Sequence, residues 1–341
     1  MYDASEIGLD WKGSLESLSS VPGAKCSYLA ADGRLKDYTG KLRGILNIDD
    51  TVIDSTMGKL SWAKSSDYTD YLVKRPCSQA HSKQEAVIQW LCYKSLAGKG
   101  LEAHCPRVFD IFTLSKSIWF SMSPIYKAPV LDVYLKTLPK WRIPHPSNGE
   151  TILKLLSQIA MCCLVLERTI GFNHRDLKPN NILVKLDSVQ THLLKWSDDL
   201  EIQIASSPTA VLVDFGFSCL GPGKIPWIQA GDDVLSPFDA CPRVGRDIFM
   251  LIVFLIWQKD VQASLTEDHM AFLKSSLHLS TERWQQLIHM NKDPVDWIYI
   301  LITERGFQCP ALDPATWLQS CASRFPEVVS IRSQSDSNTV S

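Results

Sequence analysis

The strongest pattern along the chain is helical. Thr151 to Ile170 puts Ile152, Leu155, Leu156, Ile159, Cys163 and Leu166 on one broad face, which predicts a long helix. Ser78 to Leu96 repeats the pattern with Val87, Ile88, Leu91 and Leu96. Ile248 to Trp257 is an unbroken apolar run of ten residues, too short to span a bilayer as a helix and predicted to be a buried one. A short helix is predicted over Val130 to Leu138. Amphipathic helices are predicted over Met270 to Leu277, Arg283 to Met290 and Val295 to Thr303, and Cys309 to Arg324 closes the packed part of the chain.

Strand patterns concentrate in the first half. Tyr71 to Lys74 reads as a strand, and Cys105 to Phe112 and Ile118 to Met122 read as a hairpin. Residues 1–44 mix polar residues, Gly and Pro and form an N-terminal extension. Pro139 to Asn148 holds three prolines and reads as loop, and the Ser-rich stretch 332–341 reads as a disordered tail. Strands first and helices after predict an α+β fold, with no internal repeat and no separable second domain.

Composition narrows the class. A chain of 341 residues can build one large domain or two lobes with a real core. A net charge of -2 supplies no global field for nucleic acid or an anionic membrane. Ten cysteines form no C-x-x-C pair and no zinc-spaced cluster, which predicts reduced thiols and an intracellular setting, cytoplasmic or nuclear. Met1 to Leu18 is polar and acidic, without the apolar stretch of a signal peptide.

Two stretches carry chemistry. Residues 174 to 181 read His-Arg-Asp-Leu-Lys-Pro-Asn-Asn, and an apolar strand follows. Val211-Leu212-Val213-Asp214-Phe215-Gly216 lies downstream. Asp214 and Asn181 offer a carboxylate and an amide that could hold a metal. Asp176 could orient a hydroxyl, with the Lys178 ammonium beside it. That set suits phosphoryl transfer, where catalysis is mostly positioning and charge neutralisation.

The first stretch resembles the catalytic loop of protein kinases, and the second resembles their Asp-Phe-Gly motif. The Lys-Pro after Asp176 is closer to the serine/threonine branch. The resemblance covers about residues 50–325. It implies a bilobal protein-kinase-like fold: an N-lobe and hinge over residues 45–126, and a larger helical C-lobe over 127–331 with an insert at about 187–208. It implies ATP and Mg²⁺ as cofactors, the metal held by Asn181 and Asp214. Lys74 would grip the α- and β-phosphates, aligned by Glu85, with Gly58 in the phosphate cover. Met122, Ser123 and Ile125 would line the adenine site at the hinge. Asp176 would orient the acceptor hydroxyl and take its proton, and Lys178 would neutralise the transferred group. Asp247 would brace the catalytic loop. A protein substrate follows, together with a monomer having no nucleic-acid partner and no membrane span.

Three departures from the family pattern matter. Ile53 to Gly58 stands where the family has three glycines, and only Gly58 remains. Ser236-Pro237-Phe238-Asp239 replaces Ala-Pro-Glu, and no Thr or Tyr occurs between 217 and 245. Asp214 lies thirty-three positions after Asn181, farther than the family needs, and the surplus reads as an inserted hairpin or loop. The degraded glycine stretch keeps a non-catalytic scaffold of the same fold in view. The altered substrate platform keeps a small-molecule kinase in view.

Overall fold

The computed structural model describes residues 47–48, 54–55, 58–64, 70–76, 82–114, 117–197, 200–221, 228–229, 243–290, 293–297, 300 and 312–333. The N-terminal extension, Ile53, Ser236 and residues 334–341 lie outside these.

A β-sheet region comes first and helices follow, a mixed α and β architecture of the kind the sequence pattern predicts. Six short strands form one antiparallel sheet: β1 (Asn47–Ile48), β2 (Asp54–Ser55), β3 (Gly58–Lys64), β4 (Asp70–Pro76), β5 (Val108–Leu114) and β6 (Ser117–Met122). Both β1 and β2 pair with β3, and Ser55 faces Gly58 where β2 turns into β3. Gly58 has φ 116°, a conformation that a side chain would strain. The order continues β3-β4-β6-β5, so β4 is an inner strand and Lys74 stands opposite Leu60 and Phe120.

Helix α1 (Ser82–Ala97) packs between this sheet and the long helix α3. Every residue from Glu85 to Cys92 is buried, so α1 is wrapped on all sides rather than half-exposed. A short α2 (Leu131–Leu135) follows the sheet.

Helix α3 (Pro146–Ile170) begins five residues before the predicted start. Pro146 sits in the first turn, where its missing N–H costs nothing. His145 caps that turn by accepting from Ser147 N. The helix ends at Gly171, φ 59°, where a Cβ would meet Gly221 O at 1.9 Å. Length and hydropathy alone would let α3 cross a membrane, but most of it is buried in the fold. It is a core element by packing.

The described residues of the 187–208 stretch belong to two long strands, β7 (Ile182–Ser197) and β8 (Leu200–Leu212), the first continuing directly from the 174–181 stretch. The expected insert is thus the far end of one hairpin. A third strand, β11 (Val329–Ser333), pairs with β8 through Val329↔Ile204 and Ser333↔Leu200. Arg332 and Ser333, assigned to the tail on composition, are therefore ladder residues. The small pair β9 (Cys219–Leu220) and β10 (Ile228–Gln229) follows Asp214.

Helix α4 (Arg246–Trp257) occupies the predicted buried position, and only Phe254 and Trp257 are less than fully covered. Further helices are α5 (Lys259–Ser264), α6 (Glu267–Ser276), α7 (Thr281–His289) and α8 (Pro314–Arg324). Cys92, Cys105, Cys162, Cys163 and Cys321 are free and buried. Burial pushes the Cys162 thiol far up, so it is inert. Cys219 is disulfide-bonded, which corrects the expectation of reduced thiols throughout.

Candidate functional site

Asp247, in the first turn of α4, organises the 174–181 stretch. Its carboxylate is fully buried and accepts from His174 N at 2.7 Å and from Arg175 N at 3.0 Å. Two backbone donors that would otherwise be orphaned in the core are thereby satisfied. Arg175 takes φ 68°, and its buried guanidinium donates to Phe217 O at 3.3 Å.

The two motifs are sewn together. Val213 N donates to Asn181 O at 3.1 Å, and His174 Nε2 lies 3.0 Å from Val213 O. Phe215 is fully buried, its ring 5.4 Å from that of His174 and 6.0 Å from that of Phe172. Asp214 itself takes φ 64°, in the left-handed region that a non-glycine residue rarely adopts. Strain of this kind persists only where the surroundings over-determine it.

Two charge clusters result. In the first, Lys74 Nζ reaches Glu85 Oε1 at 2.5 Å and Asp214 Oδ1 at 2.7 Å. Burial alone would lower the Lys74 ammonium, but the Glu85 and Asp214 carboxylates together outweigh it and raise it above its ordinary range. Burial raises Glu85 against the pull of Lys74. Burial works the same way on Asp214, but there Lys74 wins and the carboxyl is lowered. The difference follows exposure: the Glu85 side chain is 4% exposed and that of Asp214 28%.

In the second cluster Lys178 Nζ lies 2.8 Å from Asp176 Oδ2 and 3.0 Å from Oδ1. Asn181 Nδ2 donates to Asp176 Oδ2 at 3.0 Å and to Asp176 O at 2.8 Å. The Asp176 carboxylate is thus oriented from two sides.

A cavity of about 250 Å³ opens beside the first cluster. Gly58, Lys74, Met122, Ser123, Ile125 and Asp214, all predicted from sequence, line it. Glu85 stands behind Lys74, and Asp176, Lys178 and Asn181 join through Asn181 and Val213 rather than forming its wall. Leu60, Leu72, Val130 and Leu183 complete apolar walls suited to a flat ring. Leu72 could have been found, since it lies two before Lys74 and a strand repeats its face every two residues. Gln89 also lines the cavity and was missed. Its signal was a polar residue inside an apolar helical run.

The polar edge of the cavity is selective. Ser123 N donates to Arg107 O at 2.8 Å and is spent. Pro124 has no N–H. The Ile125 N–H and the Ser123 carbonyl therefore remain for a ligand. Among the described residues, none donates a hydrogen bond to Asn181 Oδ1 or Asp214 Oδ2. These are two hard oxygens, the chemistry that a small divalent cation shares with phosphate oxygens and water. Among the described residues, no group of three or more His, Cys, Asp or Glu is placed to hold a metal on its own.

No protein-family model matches the chain, and no curated protein matches it.

Proposed function

We propose that the chain is a bilobal protein kinase of the serine/threonine type, binding ATP in the cavity between the sheet and the helical part. The observation that carries this reading is the Lys74 ammonium held between Glu85 and Asp214, from three separate segments, at the wall of an apolar cavity.

Each residue then has a task. Ile125 N–H and the Ser123 carbonyl meet the polar edge of the base, while Leu60, Leu72 and Met122 hold its faces. Lys74 donates to the phosphates, and Glu85 keeps it extended. Asn181 Oδ1 and Asp214 Oδ2 are the ligands for Mg²⁺, which when bound neutralises phosphate charge. Asp176 accepts the proton of the acceptor hydroxyl, and Lys178 offsets charge on the transferred group. Arg175, already committed to Phe217 O, and a 217–245 segment without Thr or Tyr support a kinase that works without activation-loop phosphorylation.

The test is transfer of labelled γ-phosphate from Mg-ATP to generic protein acceptors, with Asp176→Asn alongside. Label on Ser or Thr in the wild type and none in the variant supports the reading. ATP binding without transfer in either protein points to a scaffold, and transfer confined to a metabolite panel points to a small-molecule kinase.

A further inference from the structure

Cys219 is disulfide-bonded. Cys92, Cys105, Cys162, Cys163 and Cys321 are free, which leaves Cys26, Cys77, Cys241 and Cys309, all outside the described residues, as candidates for its partner. The surroundings of Cys219 choose among them. It forms an antiparallel bridge with Asn173: Asn173 N donates to Cys219 O at 3.0 Å, and Cys219 N donates to Asn173 O at 2.9 Å. Bridge partners send their side chains to the same face of the pair. The Asn173 side chain goes to Arg243, donating through Nδ2 to Arg243 O at 2.9 Å and accepting from Arg243 N. The Cys219 sulfur therefore faces the chain at Arg243. Cys241 stands two residues before Arg243, and Pro242 keeps it extended. Two extended residues reach roughly 7 Å, and a disulfide needs its Cα atoms about 4.4–6.8 Å apart. Cys77 instead follows Pro76, at the end of β4 in the six-stranded sheet. Cys309 stands three residues before Leu312, which abuts Gly245 rather than Asn173.

We infer that Cys219 is joined to Cys241, and that this crosslink is a thiol-sensitive clamp on the 174–181 stretch. Asn173 lies three residues before Asp176 and is fully buried. Its backbone is committed to Cys219 and its side chain to Arg243, so the crosslink ties together the two chains that Asn173 bridges. Arg243 leads directly into α4, whose Asp247 holds His174 N and Arg175 N. With no Thr or Tyr between 217 and 245, a covalent bond supplies the order that a phosphate would otherwise bring. A low-molecular-weight thiol opens it. The S–S bond takes up two electrons and two protons and becomes two Cys thiols, while two molecules of the reductant leave joined as their own disulfide. The effect on transfer rests on the kinase reading; the crosslink and the order of the loop do not.

The test uses the full chain, with free thiols alkylated before digestion and the peptides mapped by mass spectrometry without reduction. The map is expected to join the Cys219 peptide to the Cys241 peptide. Cys219 joined to Cys309, Cys77 or Cys26, or alkylated as a free thiol, overturns the assignment. Deuterium uptake across residues 172–177 then reads the clamp: a small dithiol is expected to speed it about tenfold, with the core of α3 unchanged. Cys241→Ser is expected to exchange at the fast rate with or without dithiol while binding Mg-ADP as the wild type does. Reduction of the wild type makes the same break without a substitution, should the variant misfold. Uptake that ignores the dithiol in the wild type overturns the clamp. Phosphoryl transfer by the wild type is expected to fall about fivefold on reduction, as order at Asp176 is lost. Transfer absent in every form, with the map and the exchange as expected, upholds the clamp and overturns the kinase reading alone.

Discussion

The two charge clusters beside the cavity are built in opposite ways. Lys74, Glu85 and Asp214 lie 11 and 140 residues apart along the chain, and only packing brings them together. Asp176, Lys178 and Asn181 lie within one loop. The first ammonium is 13% exposed and the second 34%. Removing a charge from the first leaves carboxylates facing each other where water barely reaches, so folding and chemistry are coupled there. In the second, solvent screens the loss and the loop is braced separately by Asp247. The cleft therefore has one cluster whose charges are tied to the fold and one whose charges are screened from it.

The sharpest break of this contrast is Asp176→Asn. Phosphoryl transfer should fall by about 10³-fold, within the range for a lost general base, while ADP binding and melting temperature hold. Loss of ADP binding in that variant would mean that the second cluster is structural after all. Paired lysine variants come next. Lys74→Met should cost about 3 kcal/mol of stability, as for a buried pair stripped of one partner. Lys178→Met should cost under about 1 kcal/mol, as for a screened pair. Both should abolish most transfer, so equal denaturation midpoints in urea would erase the distinction.

Acid unfolding adds a buried group outside both clusters. His104 donates through Nδ1 to Ala210 O at 2.7 Å, and its ring lies 5.3 Å from that of His192. Burial first, and His192 in addition, hold it at about 4, below the ordinary value of 6.5. Its folded value is depressed, so below pH 6.5 the unfolded chain takes up a proton that the folded chain refuses. Stability from this group is full above pH 6.5 and drains as pH falls towards 4, by up to about 3 kcal/mol. His104→Gln should flatten that limb in melts taken across this window, and an unchanged slope would assign the acid sensitivity elsewhere. The smallest effect is expected at Ser236→Ala. Ser218 is buried with its hydroxyl on His174 O, leaving Ser236 as the remaining hydroxyl of the 217–245 segment. Transfer should change less than about twofold, because Arg175 is already committed to Phe217 O and no added phosphate is needed to engage it. A large loss would reveal a phosphorylation switch.

Legibility along the chain followed the range of the interactions. The buried α4 helix was readable because ten apolar residues have only one comfortable place to go. The start of α3 was hidden by Pro146, which reads as a breaker yet serves as a first-turn residue once His145 caps the end. The β7–β8 hairpin was legible as an inserted hairpin or loop from the surplus length between Asn181 and Asp214, but its register shifts between Lys185 and Val189, and between Gln190 and His192, belong to the pairing and not to the sequence. Strand β11 finds its partner more than a hundred residues upstream, and the alternation of Val329 and Ile331 with polar residues is too short to name that partner.

By itself the sequence determined the order of strands and helices and the loop chemistry at Asp176, Lys178 and Asn181. Hydrophobic period and short-range spacing are properties of contiguous residues. Only the tertiary structure decided that Lys74 is clamped between Glu85 and Asp214, that the Ser123 N–H is already spent, and that Gln89 lines the cavity. Each of those depends on which distant atom arrives at hydrogen-bonding distance, and burial then sets the strength of the contact.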